Sequence, residues 1–274
     1  TTNTTTATVG TLTVSAPNAN TVGASNLIVD NTGGGGSNTT TFAAGNLARG
    51  GAGSVLVITP TTGTLGSKEL ITFTNGGALL TNGILPPWVA TTTSSASTAG
   101  DFVTYGGSGV GVATYAGDLT TSTNTSVVNQ SSVPTITGAA AAYALKTNVA
   151  VNLSTNTLTL GNGSGQSGLI LNNGGSITNG NITFGATEGM IYSQGTTSLG
   201  TTGNTLTSNG LSITALGATT MTLTSNINNG TQPAALNLVA ATTGSTINLN
   251  GTNGYTGGTT LSYQGTLHVR QDSA

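Results

Sequence analysis

The ionisable side chains bound what chemistry this chain can do. Six Asp and Glu, four Lys and Arg, one His and no Cys are spread over 274 residues. Acid–base cleavage of a polysaccharide needs two carboxylates brought together beside a basic group. The carboxylates are Asp30, Glu69, Asp101, Asp118, Glu188 and Asp272. Only Asp101 and Asp118 share one irregular stretch and offer themselves as such a pair. The bland alternative is two solvated loop positions. His268, Arg270 and Asp272 alternate along one strand and so share a face, but no nucleophile accompanies them; they read as a polar strand end. Lys68-Glu69 reads as a local ion pair. With no Cys and a single His, thiol nucleophiles, Cys-ligated zinc, iron–sulfur clusters and His-pair metal sites are excluded. The Gly33–Gly36 run is not followed by Gly-Lys-Ser/Thr and is no phosphate loop. Calcium nonapeptides need Asp where this chain places Thr or Asn. No catalytic residue, cofactor or metal ligand is therefore assigned.

The rest of the composition narrows the class further. Charged residues make up 4% of the chain and net charge is −2. Four cations cannot neutralise a run of phosphates, so nucleic acid is not an expected partner. Disorder normally rests on high net charge or low hydrophobicity; here 35% of residues are apolar, with mean hydropathy +0.12. The 43 Gly fall in no three-residue period, which excludes collagen. No apolar run reaches the length of a membrane-spanning helix, about 18 residues or more. Thr1-Thr2-Asn3-Thr4 has no basic or apolar leader character, as expected of a mature exported chain or an excised fragment. Asn-x-Ser/Thr triplets such as Asn38-Thr39-Thr40 and Asn181-Ile182-Thr183 are expected by chance in such a chain.

The elements that must position these residues are strands. Period-2 apolar pairs recur at Leu12/Val14, Leu27/Val29, Val55/Val57, Val149/Val151/Leu153, Leu158/Leu160, Leu169/Leu171, Ile182/Phe184, Leu211/Ile213, Leu236/Leu238, Ile247/Leu249 and Leu267/Val269. Such alternation puts one row of side chains in a core and the other in solvent. Clusters such as Asn172-Asn173-Gly174-Gly175 supply turns between them. The exception is Gly138–Lys146, whose Ala run predicts two helical turns. An antiparallel sandwich would guard its edges with charge, whereas Thr, Asn and Ser occupy those places here. Stacked coils instead favour rows of like neutral residues, because a row of like charges repels. The expected fold is an all-β, right-handed parallel β-helix (a solenoid). It would form a single domain over 1–274, with an irregular excursion at 86–147. At roughly 20–25 residues per coil it would have about a dozen coils and a length near 55 Å.

Gly251-Thr252-Asn253-Gly254-Tyr255-Thr256-Gly257-Gly258-Thr259-Thr260, followed by Gly265-Thr266-Leu267, resembles the autotransporter-associated β-strand repeat of bacterial passenger domains. The resemblance spans 251–269. Upstream, Ser167–Leu171 with Gly174–Ile177 is similar to rungs of large repetitive surface proteins. The resemblance implies a secreted or surface-exposed bacterial β-helix. The family's outer-membrane barrel is not among these residues, as expected of one module of a longer precursor. Gly254, Gly257 and Gly258 would form a tight corner, with the Tyr255 ring laid on the apolar stack.

These features predict a structural, non-enzymatic extracellular module that stacks head-to-tail with copies of itself into a surface fibre or filament. The alternative is an adhesin whose excursion recognises surface glycan through Trp88, Tyr105 and Tyr115; these aromatics would otherwise pack the excursion against the coils. A polysaccharide-active enzyme using Asp101 and Asp118 is the third reading.

Overall fold

The computed structural model describes residues 4–15, 23–33, 37–62, 65–92, 99–185, 188–240 and 243–270. Strands hold 54% of the chain. Among the described residues the sole helical element is a 3-10 turn, Gly76–Leu79.

The first part of the chain alternates between two parallel sheets. Strands β1 (Thr4–Val14), β3 (Thr39–Arg49) and β5 (Glu69–Phe73) form one; β2 (Gly23–Val29), β4 (Ser54–Pro60) and β6 (Val89–Thr92) form the other. β7 (Gly100–Gly106) and β8 (Gly109–Val112) then extend the second sheet through the only antiparallel ladders among the described residues.

The second part visits three parallel sheets in fixed rotation. Sheet I holds β10 (Ala140–Ala142), β13 (Thr157–Leu160), β16 (Asn181–Phe184), β19 (Thr205–Ser208) and β22 (Asn226–Asn229). Sheet II holds β9 (Val127–Gln130), β11 (Ala144–Thr147), β14 (Ser167–Leu171), β17 (Gly189–Ser193), β20 (Leu211–Ala215), β23 (Leu236–Ala240) and β25 (Thr259–Tyr263). Sheet III holds β12 (Ala150–Asn152), β15 (Ser176–Thr178), β18 (Thr196–Leu199), β21 (Thr220–Leu223), β24 (Thr246–Leu249) and β26 (Thr266–Val269). In sheet II, Ala144 pairs with Gly168, Gly168 with Met190, Met190 with Ser212, Ser212 with Asn237 and Asn237 with Thr260. Each turn therefore takes 22 to 25 residues.

Like side chains stack because the register repeats. Val128, Leu145, Leu169, Ile191, Ile213, Leu238 and Leu261 make one apolar row. Val151, Ile177, Leu199, Leu223, Leu249 and Val269 make another. Burying such rows supplies roughly 25 cal/mol per Å² of apolar surface, and the ladders satisfy the backbone groups buried with them. Outward positions carry neutral polar rows such as Ser176–Ser198–Thr222–Asn248–His268.

Sheet II differs from its neighbours. β13, β16 and β19 alternate between buried and partly exposed, whereas β14, β17 and β20 are buried at every position. Their outer face is covered by the first part of the chain. Ile170, Met190, Tyr192 and Val239 belong to the same apolar cluster as Val55, Ile58, Phe73 and Trp88. The Tyr192 hydroxyl donates to Pro87 O at 2.7 Å. A Cβ on Gly168 would lie 2.5 Å from the Phe102 ring, so only glycine permits this approach. β2 lies against β23 and β7 against β14. The first stack thus advances in the direction opposite to the second, and the chain doubles back on itself near β8.

Two expectations change. Gly138–Lys146 is no helix: Ala140 pairs with Leu158, Ala142 with Leu160 and Ala144 with Gly168. Ladder pairing and burial override the modest propensity of an Ala run. Instead of about a dozen coils along one axis, the three-sheet rotation occupies only 127–269 and lies beside a shorter two-sheet stack. Of the 86–147 stretch, 100–112 forms antiparallel strands, while 89–92, 127–130 and 140–147 belong to the parallel sheets.

Candidate functional site

Two ion pairs sit in the seam between the stacks. Arg49, the last residue of β3, places Nη1 2.6 Å from Glu188 Oε2. Glu188 also accepts from Gly53 N at 3.0 Å and from the Ser212 hydroxyl. The Arg49 guanidinium lies 5.9 Å from the Trp88 ring centroid and donates through Nε to Ser54 O at 2.9 Å. Asp101 on β7 receives Lys146 Nζ of β11 at 2.9 Å on both oxygens. The Tyr115 hydroxyl donates to Asp101 Oδ1, and Lys146 Nζ stands 4.3 Å from the Tyr115 ring centroid. Burial, then the Asp101 charge beside it, pushes the Tyr115 hydroxyl well above its ordinary value. Burial does the same for Tyr143 and Tyr192.

Beside Asp101 and Lys146 opens a cavity of about 430 Å³, lined also by Ala99, Asn129, Ser131, Asn148, Asn172 and Asn173. Asn172 is committed to Gly100, accepting from its N at 2.7 Å and donating to its O at 3.2 Å. The side chains of Asn129, Ser131 and Asn148 make no hydrogen bond among the described residues. The lining is one neutralised ion pair and neutral amides, a surface suited to a hydroxyl-rich ligand.

The residues singled out from sequence are distributed differently from expectation. Asp101 is buried in the ion pair, whereas Asp118 is exposed. Thr120 N donates to Asp118 at 2.8 Å and holds that carboxyl below its usual range. They form no acid–base pair. Trp88, Tyr105 and Tyr115 form no exposed platform: Trp88 is 4% exposed, and Tyr105 and Tyr115 are partly buried against the same cluster. Their large apolar area fills the first core, and the Tyr105 hydroxyl donates to Phe73 O at 2.6 Å. Glu69 is buried and accepts from Thr61 N and Thr62 N, both at 2.9 Å. His268 is exposed, its Nδ1 3.0 Å from Asn248 Oδ1. Asp272 and Gly34–Gly36 lie outside the described residues.

The signature segment takes sheet I's place above β22 without forming a strand. Asn253 Oδ1 accepts from Ile227 N, Asn226 Oδ1 from Thr252 N, and Asn229 Oδ1 from Thr256 N, at 2.8–3.0 Å. Asparagine side chains here replace a backbone ladder. A Cβ on Gly257 would meet Ala234 backbone at 2.5 Å, and Gly258 has φ +84°. Tyr255 packs on the interior, its hydroxyl 2.6 Å from Thr259 Oγ1. Thr259 opens β25; Gly265 precedes β26, which contains Thr266 and Leu267.

The two ends of the three-sheet stack are unlike. At the β9 end the apolar rows begin with Val128 and Val151, both 0% exposed, and Leu119 and Ile136 close the interior. Ala116 N donates to Val127 O at 2.7 Å, and Leu119 N to Gln130 Oε1 at 2.8 Å. At the other end the same rows finish with Leu261 and Val269, 54% and 69% exposed. β2 lies against β23, so β1 and β2 stand at that end too, with Ile28 57% exposed.

Comparison with protein-family models, curated proteins and solved structures gave no match.

Sequence spacing gave no access to Arg49–Glu188 or Asp101–Lys146, whose partners are 139 and 45 residues apart. The available signal was scarcity: in a chain with four cations, each must be explained. Arg49→Met leaves Glu188 buried and uncompensated and is expected to cost about 3–5 kcal/mol in urea unfolding. Arg49→Met with Glu188→Leu should recover most of that loss; equal losses would mean that the charges are not coupled. The buried tyrosines set an alkaline limit. Their native pKa values lie above the unfolded value of about 10, so stability is intact below pH 10 and falls above it. Denaturation midpoints that stay level from pH 9 to about 11.5 would contradict this.

Proposed function

We propose that the chain is a structural, non-enzymatic module, a right-handed parallel β-helix whose work is to hold shape and associate with copies of itself. Residues 251–269 are read as an autotransporter-associated repeat, which assigns the module to the outside or surface of a bacterial cell, as part of a fibre or larger surface protein. The observation that carries the proposal is the absence of charge from the outermost described strands. β1, β2 and β25 contain no Asp, Glu, Lys or Arg, and β26 contains only His268. Exposed edges pair with other chains unless charge, proline or covering segments prevent it. The neutral outer rows agree with this role, since like-charged rows would repel at every turn.

At the β9 end β10 and β12 each pair with a strand on one side only among the described residues, which leaves edges for the head-to-tail stacking expected from sequence. Sedimentation or light scattering over a concentration series should find the full chain associated at micromolar concentration, with little salt dependence. A monomer throughout would end the proposal.

A second reading is an adhesin that takes surface glycan, moved from the aromatic residues to the cavity. The uncommitted Asn129, Ser131 and Asn148 side chains favour it, since amides and a carboxylate recognise sugar hydroxyls. Saturation-transfer NMR with neutral hexoses and N-acetylhexosamines should show contact that Asn129→Leu with Asn148→Leu removes. No transfer from any of these sugars would reject it.

A further inference from the structure

We infer that the Lys146 amine and the Asn129 side-chain amide, neighbours in adjacent turns beside Asp101, condense into an isopeptide bond that ties β9 to β11. Lys146 pairs with Asn129 in the β9–β11 ladder. Paired residues of adjacent strands stand about 4.8 Å apart, with their side chains on the same face. That face is the one turned to the first stack. Val128 and Leu145, the residues before them, belong to the interior, whereas Asn129 and Lys146 line one cavity with Asp101.

Three groups with separate tasks meet there. Lys146 supplies the nucleophile. Its Nζ lies 2.9 Å from both Asp101 oxygens, and the two side chains are only 13% and 9% exposed. A proton moved across either contact leaves an amine and a carboxylic acid, the forms that attack and proton return require. Asn129 supplies the acyl group: it is partly buried, and its amide is committed to no other contact among the described residues. The other amides lining the cavity suit the task less. Asn172 is held by Gly100 N and O, and Asn173 Oδ1 accepts from Thr196 N at 3.2 Å. Asn148 stands exposed, two residues beyond Lys146. Tyr115 covers the site, with its ring centroid 4.3 Å from Lys146 Nζ and its hydroxyl donating to Asp101 Oδ1.

The reaction balances without an added reagent. Asp101 takes one proton from Lys146 Nζ, and the freed amine attacks Asn129 Cγ to form the new C–N bond. Asp101 passes that proton to Asn129 Nδ2, and a second proton from Nζ follows it. The Cγ–Nδ2 bond then breaks and one ammonium ion leaves. Nζ keeps a single hydrogen, and Asp101 is again a carboxylate. With the lysine charge gone, Asp101 retains the Tyr115 hydroxyl as a donor, which a buried carboxylate needs. The fixed ladder register supplies the proximity that makes an otherwise slow reaction intramolecular.

Trypsin tests the bond, because the chain's cleavage sites follow only Arg49, Lys68, Lys146 and Arg270. After unfolding, a Lys146 tied up as an amide resists the protease. Residues 69–270 should therefore emerge as one piece, lighter than its sequence by one ammonia, with fragment-ion sequencing placing the link at Asn129. Separate pieces 69–146 and 147–270, whatever their mass, would overturn the inference. Asn129→Leu and Asp101→Ala should each restore cleavage after Lys146, and Asn129→Asp should form the same bond with loss of water. An uncut native piece lighter by one water, with its link at Asp101, would mean that Lys146 joins its ion-pair partner and would overturn the choice of Asn129. Cleavage still blocked in Asn129→Leu would do the same. The digest of the native chain decides even where a variant folds poorly.

Discussion

The parallel ladder between one turn and the next is the interaction on which everything else depends. Each inner strand of sheets I, II and III gives its backbone groups to the turns on either side, which satisfies amides that burial would otherwise strand. Holding that ladder fixes the register, and the fixed register puts Leu on Ile on Leu through successive turns. The apolar rows and the polar outer rows are both consequences of it. So is the tolerance of a composition with almost no charge, because neutral Thr, Asn and Ser can repeat at one position without repulsion.

A ladder also has ends, and their treatment gives the molecule its polarity. At one end of the three-sheet stack the segments on either side of β9 insert Leu119 and Ile136 into the interior. The other finishes in strands whose outermost apolar residues face solvent. Where sheet I would continue, the Asn226, Asn229 and Asn253 side chains make the hydrogen bonds that a strand would have made. A second device fixes the two stacks side by side. Sheet II is buried on both faces through β14, β17 and β20, and the charged groups beside it are paired where they are buried. Such pairs gain little net stability over apolar contacts, but each is intolerant of losing one partner, which holds the seam in one alignment.

Much of the strand content was legible in the sequence, since period-2 alternation at Leu158/Leu160 or Ile247/Leu249 is a local signal of one buried row. The positive φ of Gly258 is a local property of the backbone, whereas the close approach of Gly257 to Ala234 joins residues of successive turns. The Ala run at 138–146 misled, because intrinsic preference there is weaker than the pairing available from β9, β13 and β14. Trp88, Tyr105 and Tyr115 misled differently. An aromatic in an irregular stretch looks the same whether it stacks on a ligand or fills a core, and what decides is the sheet lying opposite.

By itself the sequence determined the β character, the inward and outward rows, the near absence of charge and the chemistry thereby closed to the chain. These follow from composition and from contacts between residues adjacent or nearly so. The tertiary structure alone decided that the stack doubles back, which face of sheet II is covered, and which carboxylates meet a cation. The physical reason is range. Arg49 finds Glu188, and β2 finds β23, across more than a hundred residues, and period-2 alternation is identical whether successive coils continue along one axis or turn and run beside those already laid down.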